Sequence, residues 1–407
     1  MAAAPTATAV RTATATVVPL DLSEAASARP WQRYRVDSQG SSWPQTDWSG
    51  YSNLRHPDRT PPVGGPLQYV IPVEGDPVRG QQLAFDRSRG GSCVVCHVMG
   101  RATPDQPGNV GPDLSQVGAG RTDDWLFNYV YDARLFNKAS IMPPWGAHRV
   151  YNVAEIRDIV AFLKTLRTPH EIADPKENPN KRPFPVENRD NLDATENPGM
   201  FGIDTGKAAF RKPGPTGKAC TTCHAAPEKA FSSWAARMPR YEPRLKKVMG
   251  VEEFITRHAR ATTGAELPAQ TDANLGMSVY LRHLANGQPI APDVTSPPAR
   301  QAIARGERLM AAKLGQLHMS CNDCHRTHVN KWVRGQLLVQ AKGTTAHFPT
   351  WRTSRGDTWD IRKRFQWCNV SVRANELEPE AAEYGDIELA LAAINRGEKI
   401  NAPGIRH

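Results

Sequence analysis

Three times in 407 residues the chain repeats one five-residue word: Cys93-Val-Val-Cys96-His97, Cys220-Thr-Thr-Cys223-His224 and Cys321-Asn-Asp-Cys324-His325. Two thiols at that spacing add across the vinyl groups of one haem, and the imidazole that follows is carried under the iron as its proximal ligand. A zinc site would want paired Cys-x-x-Cys elements converging on one metal, and a thioredoxin-like pair would want a βαβ setting. A His directly after the second Cys in every copy argues against both. The words therefore predict three covalently bound haem c groups, with His97, His224 and His325 as proximal iron ligands. They consume six of the seven cysteines and leave Cys368 over.

The second axial ligand decides whether such a site stores electrons or does chemistry. Met142 follows His97 by about 45 residues in the Pro-flanked run Met142-Pro143-Pro144, the usual place for a Met ligand that raises the potential. For the middle word the candidates are His258, His283, Met238 and Met249. His258 lies on a short amphipathic stretch about 34 residues after His224, and bis-His coordination would make this site a low-potential relay. For the third word the candidate is Cys368, which is a free thiol, an intermolecular disulfide or a haem ligand. Its surroundings favour the last. The run from Trp359 to Cys368 reads as a helix, and a residue four positions back shares a face, so Arg364 belongs beside the sulfur. Between Arg352 and Glu376 six basic residues (Arg352, Arg355, Arg362, Lys363, Arg364, Arg373) meet three acidic ones (Asp357, Asp360, Glu376). Such company favours a thiolate and attracts a small dianion, with Arg352 or Arg373 assisting Arg364.

The elements that must position these residues follow from pattern and composition. Gly80 to Phe85 reads as a short helix leading into the first word, and Val153 to Leu166 places Ile156, Ile159, Val160, Leu163 and Leu166 on one helix face. Phe201 to Phe210 and Leu275 to Leu284 flank the middle word. Arg300 to Leu314 and about Glu380 to Asn395 flank the third, the last ending at Arg396-Gly397 as a helix C-terminus should. The fold class expected is mainly α, with three class I cytochrome c-like haem domains in tandem at 66–168, 196–292 and 293–407. A linker dense in Pro, Asn and charge occupies 169–195. Residues 1–65, polar and without sustained period, form an extension that wraps a neighbouring surface or is partly disordered.

With 39% hydrophobic residues and no run of about 18 apolar positions, no membrane span is expected. The net charge of +10 favours anionic partners, yet the basic residues are dispersed and no nucleic-acid-binding signature accompanies them. Covalent haem attachment implies export, usually to the bacterial periplasm. Met1 to Thr16 lacks a continuous apolar h-region and reads as a processed or re-engineered start.

Together these pieces resemble the SoxAX cytochromes of sulfur-oxidising bacteria, with both subunits fused in one chain and the X part first. The X-like stretch, about 73–168, carries Gly80, the first haem word, Gly108-Asn-Val-Gly111-Pro112-Asp113-Leu114 and Met142-Pro143-Pro144. The A-like stretch, about 196–407, carries Gly315 to His325, Phe348-Pro-Thr-Trp-Arg352 and Arg362-Lys-Arg364-Phe-Gln-Trp-Cys368-Asn369-Val-Ser-Val-Arg373-Ala374. The resemblance implies an enzyme that oxidatively couples thiosulfate to a cysteine of the carrier protein SoxYZ, giving a cysteine S-thiosulfonate and two electrons. It implies an active site at the last haem, with a distal cysteine often found as a persulfide and an arginine beside it. Those roles map onto His325, Cys368 and Arg364. The X haem, on His97 and Met142, would pass electrons to a downstream cytochrome c, and the other A haem would be remote and dispensable. One departure stands out: diheme members usually ligate that haem with a Cys, where this chain offers Arg257-His258, so His/His coordination is expected. The rival readings are a thiosulfate dehydrogenase forming tetrathionate and a multihaem electron carrier with no chemistry of its own.

Overall fold

The computed structural model describes residues 18–23, 47–67, 74–87, 92–185 and 191–406, so the readings placed on Met1 to Thr16 and on Val73 lie outside the described residues. Three helical units follow one another. The first is framed by α1 (Pro77–Phe85), α2 (Asp123–Tyr131) and α3 (Val153–Thr165). Each start is chemically marked. The Asp76 carboxylate accepts from the backbone N–H of Val78 and Arg79 with Pro77 at the first helical position, and Asn152 with Glu155 forms a reciprocal capping box on α3. On α3 the face expected from periodicity is the buried one: Ile156, Ile159, Val160 and Leu163 join Leu126, Phe127 and Val130 of α2 in one core.

The second unit is built from α4 (Phe201–Arg211), α5 (Val251–Thr263) and α6 (Asp272–Leu284), the third from α7 (Pro297–Ala311), α8 (Ile361–Ser371) and α9 (Ala382–Ile394). One packing device recurs in all three. The helix leading into each haem word crosses the unit's closing helix at a glycine so tightly that a Cβ there would meet backbone. On Gly80 it would lie 1.9 Å from the Asp158 carbonyl oxygen, on Gly206 2.1 Å from that of Gly276, and on Gly306 2.2 Å from that of Asp386. Only a residue without a Cβ permits that approach.

Short ribbons supplement the helices. β1 (Arg240–Glu242) pairs antiparallel with β2 (Lys247–Met249), and β3 (Trp332–Val333) with β4 (Gln336–Leu337). β5 (Thr350–Arg352) pairs antiparallel with β6 (Asp357–Trp359) and parallel with β7 (Gly404–Arg406). This corrects the start of the helix read from Trp359. Trp359 ends β6 opposite Thr350, and Asp360 then turns the chain, its carboxylate accepting from the Lys363 N–H at 2.6 Å. An N-cap aspartate takes extended backbone angles, which lets a strand pass directly into a helix.

Two segments outside the units hold them together. In residues 47–67, Leu54 is buried in the core of the third unit, Ser52 O accepts from Gly315 N at 2.7 Å, and the Tyr51 hydroxyl donates to His148 O of the first unit at 2.6 Å. Within the stretch read as a linker, Arg182 donates to Arg334 O at 2.8 Å and lies 4.7 Å over the Trp332 ring, while Glu177 accepts from Gln106 N. Between the second and third units runs a buried charge network: Arg362 meets Glu388 at 2.8 Å and Glu253 at 3.3 Å, and Glu253 also meets Lys247 and Arg257.

Candidate haem and sulfur site

Each haem word sits at the foot of its unit's glycine crossing, and two of the three words open on the same space. A cavity of about 2190 Å³ is lined by Cys93, Cys96, His97 and Met142 of the first unit and by Cys321, Cys324, His325, Arg364 and Cys368 of the third. An ordinary ligand pocket holds roughly 300–1,000 Å³, so this space suits more than one large planar group. The four thiols of the two words are poor free nucleophiles. Burial pushes Cys93 up to about 12 and, with the neighbouring Cys324, Cys96 up to about 12. Burial with Cys368 nearby takes Cys321 to about 12 and Cys324 to about 11. Such sulfurs are inert as thiols but fit thioether attachment, which needs no thiolate once made.

Both imidazoles are oriented by backbone. His97 Nδ1 lies 2.7 Å from Pro112 O and His325 Nδ1 2.8 Å from Val339 O. A carbonyl oxygen can only accept, so Nδ1 carries the proton in each ring and Nε2 keeps its lone pair for a metal. Burial depresses the basicity of both rings and keeps them in the neutral, ligating form. Gly111 is what lets the Pro112 loop pass under His97, since a Cβ there would lie 2.2 Å from His97 Cε1. The donor set fits a c-type haem at both words. Among the described residues no group of three or more His, Cys, Asp and Glu is placed to hold a metal ion.

At the third word, α8 presents Arg364 and Cys368 to the cavity, as their four-residue spacing on one helix face dictates. Arg364 lowers both Cys324 and His325, which places its charge against the haem word. Arg352 and Arg355 also line the cavity, the latter with its guanidinium 4.0 Å from the Trp367 ring centroid. The expected cationic cluster is nevertheless smaller than the charge run suggested. Arg362 points into the buried network with Glu253 and Glu388, and Lys363 binds Asp357 at 2.7 Å. Arg373, with φ of 60°, donates to Gln316 at 2.7 Å and is not in the cavity wall. Helical geometry explains the split: residues two apart point to opposite sides, so Arg362 and Arg364 cannot serve one site. In their place the structure supplies two residues that sequence reasoning missed. Arg406, brought alongside Arg352 by the parallel β5–β7 pairing, contacts His347 at 3.0 Å, and both line the cavity. A basic residue in a polar tail carries no local signal of that role.

The middle word lies away from this cavity. His224 and His258, the latter on α5, face each other with ring centroids 6.1 Å apart. Imidazole nitrogens sit about 2.0–2.1 Å from a bound metal, so two rings flanking one ion would have nitrogens about 4 Å and centroids about 6 Å apart, and the observed pair fits a metal held between them. Burial lowers His224, and His258 lowers it further. The other candidates are placed elsewhere: Met238 and Met249 are 2% and 0% exposed within the unit's core, and His283 turns to Ala402 O at 3.2 Å.

Two protein families match parts of the chain. The family described as "SoxA/TsdA, cytochrome c domain" matches residues 205–290, and the family "Cytochrome c" matches residues 77–167. The L-cysteine S-thiosulfotransferase subunit SoxA of Chlorobaculum thiosulfatiphilum is 30% identical over 208 residues, covering 50% of this chain and 70% of that protein. The SoxA subunit of Allochromatium vinosum is 36% identical over 110 residues, 27% of this chain and 39% of that one. Among solved structures, SoxXA from P. pantotrophus shares 25% identity across 52% of this chain and 80% of its own, with a TM-score of 0.49.

Proposed function

From the premise that this chain belongs to the SoxA family, with a cytochrome c domain ahead of its SoxA part, we propose that it conjugates thiosulfate oxidatively to a cysteine of a SoxYZ-type carrier. The observation that carries this reading is the shared cavity, which Cys368 and Arg364 line together with His97 and Met142. We read 66–168, 196–292 and 293–407 as three haem domains, with sixth ligands Met142, His258 and Cys368 in order, and place the protein in the periplasm. Bound covalently at the three words, haem c supplies one-electron acceptance and conduction.

Everything else is done by side chains. Arg364, with Arg352, Arg355 and Arg406 around the cavity, neutralises the thiosulfate dianion and turns its sulfane sulfur toward Cys368. Cys368 thiolate and the sulfane sulfur form an S–S bond, giving a Cys368 S-thiosulfonate and releasing two electrons. A thiolate of the carrier then attacks the sulfane sulfur, and the Cys368 thiolate departs as leaving group. In sum, a carrier thiolate and thiosulfate become a carrier cysteine S-thiosulfonate and two electrons, which leave through the first domain to a cytochrome c. Phe365, Val372 and Leu391 add apolar lining to the same cavity, which limits water that would hydrolyse the adduct.

Steady-state oxidation with and without the carrier tests the proposal. Electron release should require the carrier, and each pair of electrons should match one S-thiosulfonated carrier by mass. Tetrathionate that accounts for all electrons without carrier would establish the dehydrogenase reading instead. Intact mass should equal the polypeptide plus three haems.

A further inference from the structure

The imidazoles of the three units take their Nδ1 partners from different places. For His97 and His325 the carbonyl belongs to the ligand's own unit, 15 and 14 residues further on. For His258 it is Pro19 O, at 2.8 Å and 239 residues away in sequence, in the N-terminal extension. Residues 18–23 lie along α5 and are fastened to it repeatedly. Asp21 N donates to Arg257 O at 3.1 Å, while Arg257 Nη1 donates to Asp21 O at 2.8 Å and to Ser23 O at 3.4 Å. Arg260 meets the Asp21 carboxylate at 3.3 Å, Arg244 donates to Val18 O at 2.9 Å, and Leu20, 9% exposed, is buried in the core with Phe210, Phe254 and Ile255. This is a docked segment with an apolar anchor, flanked on both sides by hydrogen bonds to a single helix.

We propose that residues 18–23 form a strap that positions the sixth ligand of the middle haem, with the Pro19 carbonyl orienting His258. The proposal rests on the reading of His258 as that ligand. Because a carbonyl only accepts, Pro19 O holds the proton on Nδ1 and directs the Nε2 lone pair toward His224, and a hydrogen-bonded imidazole is a more basic, less mobile ligand. α5 sets where His258 sits and brings the Phe254 ring to stack on its face at 5.2 Å, but stacking does not distinguish the two ring nitrogens. The Pro19 carbonyl does, by bonding Nδ1. The N-terminal extension thus divides its contacts between the units, with residues 47–67 joining the first to the third and residues 18–23 serving the second.

The test uses the full-length, haem-loaded protein and follows cyanide binding to its ferric form by stopped flow. An intrinsic sixth ligand must leave before cyanide enters, so the rate reports how often it opens. His258→Ala identifies the kinetic phase of the middle haem, which should become fast, with loss of the bis-imidazole low-spin resonance signal. Leu20→Asp expels the strap's anchor and should accelerate that same phase about tenfold without changing the others. Leu20→Ala, a milder change that keeps the fold, should accelerate it about threefold, and Leu20→Met should restore the parent rate. Thiosulfate turnover should stay at the parent value in all Leu20 variants. If His258→Ala opens the phase but Leu20→Asp and Leu20→Ala leave it unchanged, the strap is overturned and the ligand assignment stands. If His258→Ala changes neither rate nor spectrum, the ligand assignment falls and the strap's role falls with it.

Discussion

Arg362 is the most exposed to a quantitative test, because removing it unbalances the network that clamps α8, the helix carrying Arg364 and Cys368. Its guanidinium is 3% exposed and meets Glu388 at 2.8 Å, Glu253 at 3.3 Å and Pro379 O at 2.9 Å, and both carboxylates are 2% exposed. In Arg362→Met the stem is retained and the charge is lost. Glu253 keeps Lys247 at 2.7 Å and Arg257 at 2.8 Å, whereas Glu388 loses the ion-pair partner it contacts directly. Breaking a buried pair from one side costs about 3–5 kcal/mol. Burial already raises Glu388, and without Arg362 it rises further and takes up a proton in the folded state. A neutral carboxyl is far cheaper to bury than a charged one, so the loss should be largest near pH 8 and shrink toward pH 5. Guanidinium unfolding followed by circular dichroism at both values measures it. Adding Glu388→Gln should recover most of the stability in a double-mutant cycle. A loss below about 1 kcal/mol, or one equal at both pH values, would refute the reasoning by showing that water already reaches the pair.

Three further outcomes follow from the same physics. Glu380 is raised to about 7, first by burial and then by Glu253. Its folded value stands above the unfolded one, so its contribution is present below about pH 4 and is lost as pH rises through 7. Glu380→Gln should therefore gain up to a few kcal/mol over the parent at pH 8 and almost nothing near pH 4.5, as denaturant titration would show. Gly80→Ala forces α1 and α3 apart at the 1.9 Å approach to Asp158 O and should cost about 1–3 kcal/mol in thermal or denaturant unfolding. On the ligation proposed above, Met142→His exchanges a thioether for an imidazole at the first haem and should lower its midpoint potential by of order 0.1 V in a redox titration.

The grouping of the candidate residues was largely legible because it follows from short spacing. The haem words need only five consecutive residues, the Met142-Pro-Pro run is local, and Arg364 and Cys368 share a helix face by a four-residue step. Helix α3 was readable for the same reason, since one apolar stripe faces one core. What escaped was set by chain segments far apart. The Arg362–Glu253 pair joins two units across 109 residues, and although the helical step sets Arg362 on another side from Arg364, nothing in the local run says that buried carboxylates wait there. Arg406 reaches the site only through a parallel strand pairing, and Pro19 serves His258 through a backbone carbonyl that any residue type could supply. The strand at Trp359 was hidden because a three-residue ribbon is too short to show a period of two.

The proposed chemistry rests on Cys368 and is tested by carrier-dependent oxidation of thiosulfate by Cys368→Ala, run beside reduction of the same protein by a chemical donor. Loss of the S–S-forming sulfur should cut thiosulfate turnover by about a hundredfold or more, while the rate of reduction by the donor stays at the parent value. Turnover onto the carrier at the parent rate by the alanine variant would contradict the account, because the sulfur chemistry would then lie somewhere other than the third haem word.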